Sequence, residues 1–155
     1  MNYVYESTFL CRELYQSVLT PLCIKYELTH AELIVLLFLS QNAQTDTASD
    51  IVKSRRLTKS AVSAAVHTLE KRGLVTGGYS DGNHRSIHLK ICKEAEQIVA
   101  EGKAAQNAFY KVLTNGFSEA EKSKLKEFLK RISLNIKTYN LGKTSAVELK
   151  AIQTD

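Results

Sequence analysis

The sequence predicts a mainly α-helical fold that contains one small β-hairpin. Three observations lead to this prediction. Apolar residues recur every three or four positions over most of the chain, which is the spacing of helices with one buried face. Two short runs between residues 75 and 91 alternate instead, and an Asp-Gly pair lies between them, as in a two-stranded hairpin. Proline occurs once and glycine seven times in 155 residues, which is few for an all-β chain.

Composition excludes several other classes of protein. The chain is 44% hydrophobic and 24% charged, close to the average for a soluble globular protein. Its longest apolar run, residues 33–39, is far shorter than the roughly 18 residues of a membrane span, and the N-terminus lacks the pattern of a secretion signal. Three cysteines without a CxxC pair favour a reducing cytoplasm. We therefore expect a cytoplasmic protein that has no membrane association.

The first helix is predicted over residues 3–19. A stripe of apolar residues spaced four apart runs from Leu10 to Val18, which gives this helix one buried side. Pro21 is expected to break or kink the helix, unless Thr20 caps a new short turn.

Two capping boxes predict the next two helices. The residues Thr-His-Ala-Glu at 29–32 open a helix that ends near Gln41 and is apolar on most sides, as buried helices are. The residues Thr-Ala-Ser-Asp at 47–50 open a short helix that ends near Ser54, because a carboxylate at the fourth position favours a helix start.

The next helix is predicted from Lys59 to Arg72, with Thr58 as its N-cap and Gly73 as the residue that ends it. Helical spacing gives it two different faces. The inward face is apolar and comprises Ala61, Val62, Ala65, Val66 and Leu69. The outward face is small or polar and comprises Lys59, Ser60, Ser63, Ala64 and His67.

Two long helices are predicted after the hairpin. The first runs from about Lys93 to Leu113. Its inward residues are Ala95, Ile98, Val99, Ala105, Phe109 and Val112. A third capping box, Ser-Glu-Ala-Glu at 118–121, opens the second. Its apolar stripe is Leu125, Phe128, Leu129, Ile132 and Ile136. The pattern decays after Asn140, so the sequence predicts nothing about the order of the tail at 141–155.

Charge and element order together indicate a DNA-binding region. Residues 46–93 hold nine basic and four acidic residues, so this region alone carries a net charge of +5, equal to that of the whole chain. A local basic excess is typical of a nucleic-acid-binding surface. Two short helices, a tight turn and a hairpin describe a winged helix-turn-helix, whose second helix enters the DNA major groove. The alternative is an ordinary solvated helix face.

One stretch of the chain resembles the DNA-binding core of the MarR family of bacterial transcription regulators. It comprises residues 47–75, TASDIVKSRRLTKSAVSAAVHTLEKRGLV. The matching residues are Thr47, Ile51, Leu57, Thr58, Val62, Ser63, Val66, Leu69, Glu70, Lys71, Gly73, Leu74 and Val75. The helices before and after this core follow the family's order too. The resemblance therefore extends over about residues 5–140.

The resemblance implies a homodimer that binds double-stranded DNA, more often as a repressor than as an activator. Its first helix and last two helices would form a dimerisation lobe, here residues 1–28 and 93–140, flanking a winged helix-turn-helix lobe at 29–92. A two-fold dimer of this kind reads a palindromic operator. The alternative is that the apolar stripes of these helices close a monomeric core.

The predicted wing departs from the family in one position. Members usually carry Asp-x-Arg, where the Arg enters the minor groove and the Asp orients it. The matching residues here are Asn83, His84 and Arg85. The Arg is present as Arg85, but Asn83 has no charge with which to hold the guanidinium. Asp81 lies nearby in the sequence and is an alternative partner.

These arguments together predict a DNA-contacting surface. Its residues are Arg55, Arg56, Thr58, Lys59, Ser60, Ser63, His67 and Arg85. Arginine and lysine near the start of the second helix are expected to contact phosphates, whereas its serines and histidine reach base edges.

The resemblance also implies a cleft for a small, often phenolic, organic effector. Candidate lining residues are Tyr3, Tyr5, Phe9, Tyr15 and His30, with packing in a dimer core as the alternative for each. No cofactor or metal is predicted. On a strand, His84 and His88 lie about 13 Å apart, too far to share a zinc ion.

Some members of the family sense peroxide through a first-helix cysteine, which makes Cys11 a redox candidate. The family's cysteine would fall near Tyr5, however, so the register does not match. Only Arg12 is an obvious cation near Cys11 that would lower its pKa.

No nucleotide-binding, metalloprotease or hydrolase motif occurs in the sequence, so an enzyme is not expected. The rival prediction to a DNA-binding regulator is a winged-helix module that contacts an acidic protein and binds no DNA.

Overall fold

The structure is a computed structural model that describes residues 3–42, 46–55, 57–80 and 83–152. The chain forms two compact units, Met1–Leu113 and Thr114–Asp155. The elements in chain order are α1 (Tyr3–Tyr26), α2 (His30–Gln41), α3 (Ala48–Arg55), α4 (Lys59–Lys71), β1 (Val75–Ser80), β2 (Asn83–Ile91), a 3₁₀ turn (Lys93–Ala95), α5 (Glu96–Leu113) and α6 (Glu119–Ile152). No described helix has the length and apolarity that crossing a membrane requires.

The mainly α fold with a hairpin wing is confirmed. Strands β1 and β2 pair antiparallel, from Val75 opposite Ile91 to Ser80 opposite Asn83, with an irregularity in register between Tyr79 and Ser80. The hairpin follows α4 directly and leads through the 3₁₀ turn into α5. This order of helices and wing is that of a winged helix-turn-helix.

All three capping boxes form as the sequence predicts. The hydroxyl of Thr29 accepts from the Glu32 N–H (3.2 Å), and the Glu32 carboxylate accepts from the Thr29 N–H (2.8 Å). The pair at 47 and 50 and the pair at 118 and 121 bond in the same reciprocal way. Each box satisfies amide donors that a helix start leaves without partners. The starts of α2, α3 and α6 are therefore determined locally.

The core of the first unit is built around α2. Seven of its twelve residues are buried. The largest fully buried side chains of the chain are Leu19, Leu33, Leu36, Leu37, Ile51, Leu69, Val35 and Val62. They come from α1, α2, α3 and α4, so the helix-turn-helix rests on the same core as the N-terminal helix.

The first helix is longer than the sequence predicts. It continues through Pro21 to Tyr26, so the predicted break at this proline is wrong, whereas the predicted kink stays a prediction. The buried residues Leu19 and Cys23 lie on either side of Pro21 in sequence and anchor both turns to the core. A proline inside a helix costs about 3 kcal/mol, and burial of apolar side chains at both positions offsets this. Thr20 caps no new turn, because its hydroxyl donates to the Gln16 carbonyl within α1 (2.8 Å).

One further expectation is wrong, at the end of α5. The helical spacing predicts that Val112 faces inward, but it is 57% exposed. The buried face of α5 is confined to its first half, at Ile98, Val99 and Gly102, so its last turn lies outside the core. In addition, α6 continues to Ile152, past the point where the apolar pattern decays, because residues 141–152 are rich in good helix formers.

Candidate nucleic-acid interface

The outward face of α4 is exposed along its length. Lys59, Ser63 and His67 follow one another at intervals of four residues, and Ser60 lies beside them. All four side chains are exposed. Residues four apart lie above one another on a helix, so these groups form one polar column. A single α-helix that presents such a column fits into the major groove of DNA.

The opposite face of α4 holds this column in place. Val62, Ala65 and Leu69 are buried in the core, which determines the rotation of the helix about its axis. Thr58 caps its start, since the Thr58 hydroxyl accepts from the Ala61 N–H (3.1 Å) and lies 3.1 Å from the Ser60 hydroxyl. The side chain of Thr58 thus has a capping role, and its contact with DNA stays a prediction.

A glycine ends α4 and starts the wing. Gly73 has a φ of +68°, a conformation that glycine adopts without strain. The Leu74 N–H donates to the Leu69 carbonyl and the Gly73 N–H to the Glu70 carbonyl, both at 2.9 Å. This pair of bonds is a Schellman motif. It directs the chain straight from the end of α4 into β1.

A groove of about 600 Å³ lies between α3 and α4. It is lined by Ala48, Ser49, Val52, Lys59, Val62, Ser63, Val66, His67 and Glu70. Three of the predicted base-reading or phosphate-binding residues therefore share one concave surface. The contributions of Ser49 and Val52 from α3 have no signal in the sequence, because only the packing of two helices brings them beside α4.

The predicted arginines are only partly described. Arg55 is the last residue of α3, and Arg85 lies in β2, but their side chains are outside the description. Arg56 lies outside the described residues. Asp81, the alternative partner for Arg85, also lies outside them. The DNA contacts of these arginines stay predictions.

Arg72 has a structural task in this region. Its guanidinium donates to the carbonyls of Tyr26 and Glu27, both at 2.8 Å, and so caps the C-terminal end of α1. A cation at this end of a helix is stabilising, because unpaired carbonyls give the end partial negative charge. Arg72 therefore ties the end of α4 to the end of α1.

A second groove, of about 580 Å³, contains part of the predicted effector cleft. It is lined by Arg12, Tyr15, Gln16, His30, Ala31, Ile34, Ser54 and Leu57. Tyr15 and His30 are thus brought together, beside the cation Arg12. Tyr5 and Phe9 are not among the lining residues and are 75% and 61% exposed. Tyr3, the remaining candidate, is also exposed.

Hydrogen bonds and ring contacts position the two aromatic residues of this groove. The Tyr15 hydroxyl accepts from the Gln106 amide (2.8 Å), and the Tyr15 ring packs edge-on against Phe109 at 5.2 Å. His30 Nε2 lies 3.3 Å from the Thr20 hydroxyl and 3.4 Å from the Gln16 carbonyl. Both side chains are therefore partly fixed before any ligand enters.

The three cysteines are free thiols that differ in burial. Cys11 and Cys92 are half-buried and Cys23 is buried. Burial, and to a smaller degree the nearby Glu32 carboxylate, raises the pKa of the Cys23 thiol, which disfavours the reactive thiolate. The redox assignment of Cys11 stays a prediction. Among the described residues, no three His, Cys, Asp or Glu side chains come close enough to bind one metal ion.

Comparison with known proteins identifies the fold. Residues 26–86 match the model of the MarR family. A Listeria monocytogenes protein assigned to the MarR family and crystallised with a 26mer DNA superposes with a TM-score of 0.77 at 21% identity, covering 88% of this chain and 89% of that one. MepR of S. aureus in its DNA complex gives a TM-score of 0.69 at 18% identity, with 86% and 96% covered. A MarR-family regulator from Silicibacter pomeroyi gives a TM-score of 0.76 at 18% identity, with 86% of this chain and 90% of that one covered.

No curated protein matches the chain. The resemblance to the family is confirmed, and at these identities the structures establish the fold.

Proposed function

Because residues 26–86 match the MarR family and the chain has the fold of its regulators, we propose that the protein is a homodimeric transcription regulator that binds double-stranded DNA in a sequence-specific manner. The observation that carries the proposal is the exposed column of Lys59, Ser63 and His67 on α4. Its residues can donate or accept hydrogen bonds, and it has no bulky apolar side chain that would separate it from base edges.

The roles of the residues follow from their chemistry. Lys59, Arg55 and Arg56 bind phosphates, which sets the position of the protein on the duplex and makes binding dependent on salt. Ser60, Ser63 and His67 read base edges in the major groove. Arg85, near the start of β2, enters the adjacent minor groove, where a cation meets enhanced negative potential.

Two apolar surfaces support a second copy of the chain as partner. On α1, exposed large apolar residues include Tyr3, Val4, Tyr5, Phe9 and Leu10. On α6, they include Phe128, Leu129, Ile132 and Ile136. Exposed apolar surface on this scale is typical of an interaction site. A two-fold dimer presents two copies of α4, and it therefore reads two half-sites of a palindrome about one helical turn, or a multiple of one, apart.

The groove at Tyr15 and His30 supports release by a small organic effector. Its volume of about 580 Å³ lies in the range of small-molecule sites. Arg12 supplies a positive charge, so a phenolic or carboxylic anion is the favoured class. In the proposed cycle the protein represses transcription from its operator, and effector binding lowers its affinity for that DNA.

The test is fluorescence anisotropy with DNA from upstream of the protein's own gene and with a scrambled duplex of equal length, at two salt concentrations. We expect the unmutated protein to prefer its own DNA by about a thousandfold or more. Ser63→Glu places a negative charge against the phosphates and should abolish the preference. Ser123→Glu is the matched control, because Ser123 is exposed on α6 on the side away from its apolar stripe.

Each other outcome has a defined meaning. Full binding by Ser63→Glu would show that α4 does not enter the groove. Equally weak, salt-dependent binding to both duplexes would leave only non-specific phosphate attraction. Absence of binding to either duplex would favour the alternative of a winged-helix module that contacts an acidic protein.

A further inference from the structure

Two stretches of chain that are distant in sequence meet at the wing. The Nδ1 atom of His88, on β2, is hydrogen-bonded to Oδ1 of Asp46 (2.5 Å). The Leu89 N–H donates to the carbonyl of Asp46 at 2.9 Å. Thr47 forms an isolated antiparallel bridge with His88. We call this set, Asp46, Thr47, His88 and Leu89, the wing clip.

The wing clip joins the hairpin to the start of the helix-turn-helix. Thr47 belongs to the clip and also caps α3, since its hydroxyl donates to the Asp50 carboxylate (2.6 Å) and accepts from the Asp50 N–H (3.2 Å). Helix α3 in turn shares a groove with α4. The clip therefore connects the wing to the element against which α4 is packed.

The side-chain contact of the clip is sheltered from water. The His88 side chain is 29% exposed and that of Asp46 is 19% exposed. The other ring nitrogen of His88, Nε2, is buried and has no hydrogen-bond partner among the described residues. The bond to Asp46 is thus the polar contact that orients the ring, and partial burial makes such a bond stronger than one in open solvent.

The clip lies between the fixed end of the hairpin and its tip. The fixed end is held by the Cys92 N–H, which donates to the Leu74 carbonyl at 3.0 Å. At about 3.3 Å per strand residue, His88 lies about 10 Å from Ile91. Arg85 lies three residues nearer the tip of the hairpin than His88. A pivot of the hairpin about its fixed end would therefore move Arg85 further than His88.

We propose that Asp46 and His88 are positioning residues, which hold the wing at the angle to α4 that lets both elements enter adjacent DNA grooves together. The inference rests on the proposed function. Its physical basis is preorganisation: a wing that is already fixed loses less conformational freedom when Arg85 binds DNA. Neither residue needs to touch DNA.

The chain offers matched pairs of variants. In Asp46→Ala the acceptor is lost, whereas Asp46→Asn keeps an oxygen at the same position. In His88→Asn the amide nitrogen is attached at Cγ, as Nδ1 is, and keeps a donor toward Asp46. In His88→Gln the amide is one atom further out and corresponds to Nε2, so the donor is lost. Thermal unfolding of all four variants establishes that the core is intact.

The first measurement needs no DNA. Amide hydrogen exchange of Leu89 reports the backbone bond of the clip, because this N–H donates to Asp46. We expect about 3- to 10-fold faster exchange in Asp46→Ala and His88→Gln, the effect of losing one hydrogen bond. Exchange should stay within about twofold of the unmutated rate in Asp46→Asn and His88→Asn. Equal exchange in all four variants overturns the proposal.

The second measurement is affinity for the preferred DNA, combined with Arg85→Ala. We expect Asp46→Ala and His88→Gln to weaken binding about 3- to 10-fold and the two Asn variants to restore it. In the Arg85→Ala background, Asp46→Ala should cause no further loss, because the clip acts through the wing tip. A purely structural role would instead give equal losses in both backgrounds, and that result overturns the proposal.

Failure of the inference and failure of the proposed function give different results. If the unmutated chain does not prefer its own upstream DNA, the proposed function is wrong, and the role of the clip in DNA binding is refuted with it. If the chain does prefer that DNA and all four variants bind it equally well, only the positioning role of Asp46 and His88 is wrong.

Discussion

Helices α2 and α6 are both rich in leucine and isoleucine, yet they differ in how far these side chains are buried. In α2, the apolar side chains from Val35 to Leu39 are all buried. In α6, Leu129 and Ile132 are 53% and 52% exposed. Burial stabilises by about 25 cal/mol per Å² of apolar surface. The difference shows that α2 already has its partners within one chain, whereas the apolar stripe of α6 gains stability only when something covers it.

The largest expected effect that tests this comparison is a cavity in α2. Leu36 is fully buried, so Leu36→Ala should lower the free energy of unfolding by about 2–5 kcal/mol. Urea denaturation followed by circular dichroism measures the change. The loss should be the same at all protein concentrations, because α2 packs within its own chain.

Leu129→Ala in α6 is the matched variant. Its effect should depend on protein concentration, since the proposed dimer would link stability to assembly. A loss for Leu129→Ala that equals that of Leu36→Ala at every concentration would break the distinction between the two helices.

The second expected effect is on assembly. Ile132→Lys places a charge within the α6 stripe, and burying an unpaired charge at an interface is strongly unfavourable. We expect dimerisation to weaken by about a hundredfold, or roughly 3 kcal/mol, as measured by analytical ultracentrifugation. Thr138→Lys is the control, because Thr138 is exposed on the opposite side of α6. A dimer that survives Ile132→Lys unchanged would show that this stripe is not its interface.

A third, smaller effect concerns the capping boxes of the two helices. Thr29→Ala removes the hydroxyl that accepts from the Glu32 N–H and should cost about 1 kcal/mol of global stability. Thr29→Ser keeps the hydroxyl and should cost much less. Ser118→Ala removes the same bond from α6, and its effect should appear as lost helix content in circular dichroism. Equal effects of Thr29→Ala and Thr29→Ser on the urea midpoint would contradict the role of the cap.

The smallest expected effect is on the response to acid. The Thr47 hydroxyl, followed by the Thr47 N–H and Lys53, lowers the pKa of Asp50. Hydrogen bonds from Ser118 lower the pKa of Glu121 at the start of α6. A carboxyl whose pKa is lower in the folded state stabilises the fold above its unfolded pKa, and this stability is lost as pH falls through the folded pKa.

Substitution removes the titrating group from either cap. Asp50→Asn should therefore flatten the acid side of the stability curve below about pH 4, as measured by urea midpoints from pH 6 to pH 3. Glu121→Gln should reduce only the loss of the α6 helix signal in circular dichroism as the pH falls. An unchanged acid profile in Asp50→Asn would show that this cap does not contribute to acid sensitivity.

Much of the candidate interface could be predicted from the sequence. The exposed column of Lys59, Ser63 and His67, the cap at Thr58 and the turn at Gly73 all follow from spacing within one helix. The groove beside α4 could not be predicted, because Ser49 and Val52 come from another helix. The Asp46–His88 contact has no sequence signal either, since 42 residues separate its two members.

The sequence by itself determined the features that depend on neighbours within about four residues, such as the capping boxes, the two faces of α4 and the order of helices and hairpin. Tertiary structure decided the features that local sequence preference opposes or does not specify. Pro21 lies within a helix because Leu19 and Cys23 are buried around it. Tyr15 and His30 share a groove that excludes Tyr5 and Phe9. The physical reason is that local hydrogen bonds depend on spacing alone, whereas burial and long-range pairing depend on which surfaces the folded chain brings together.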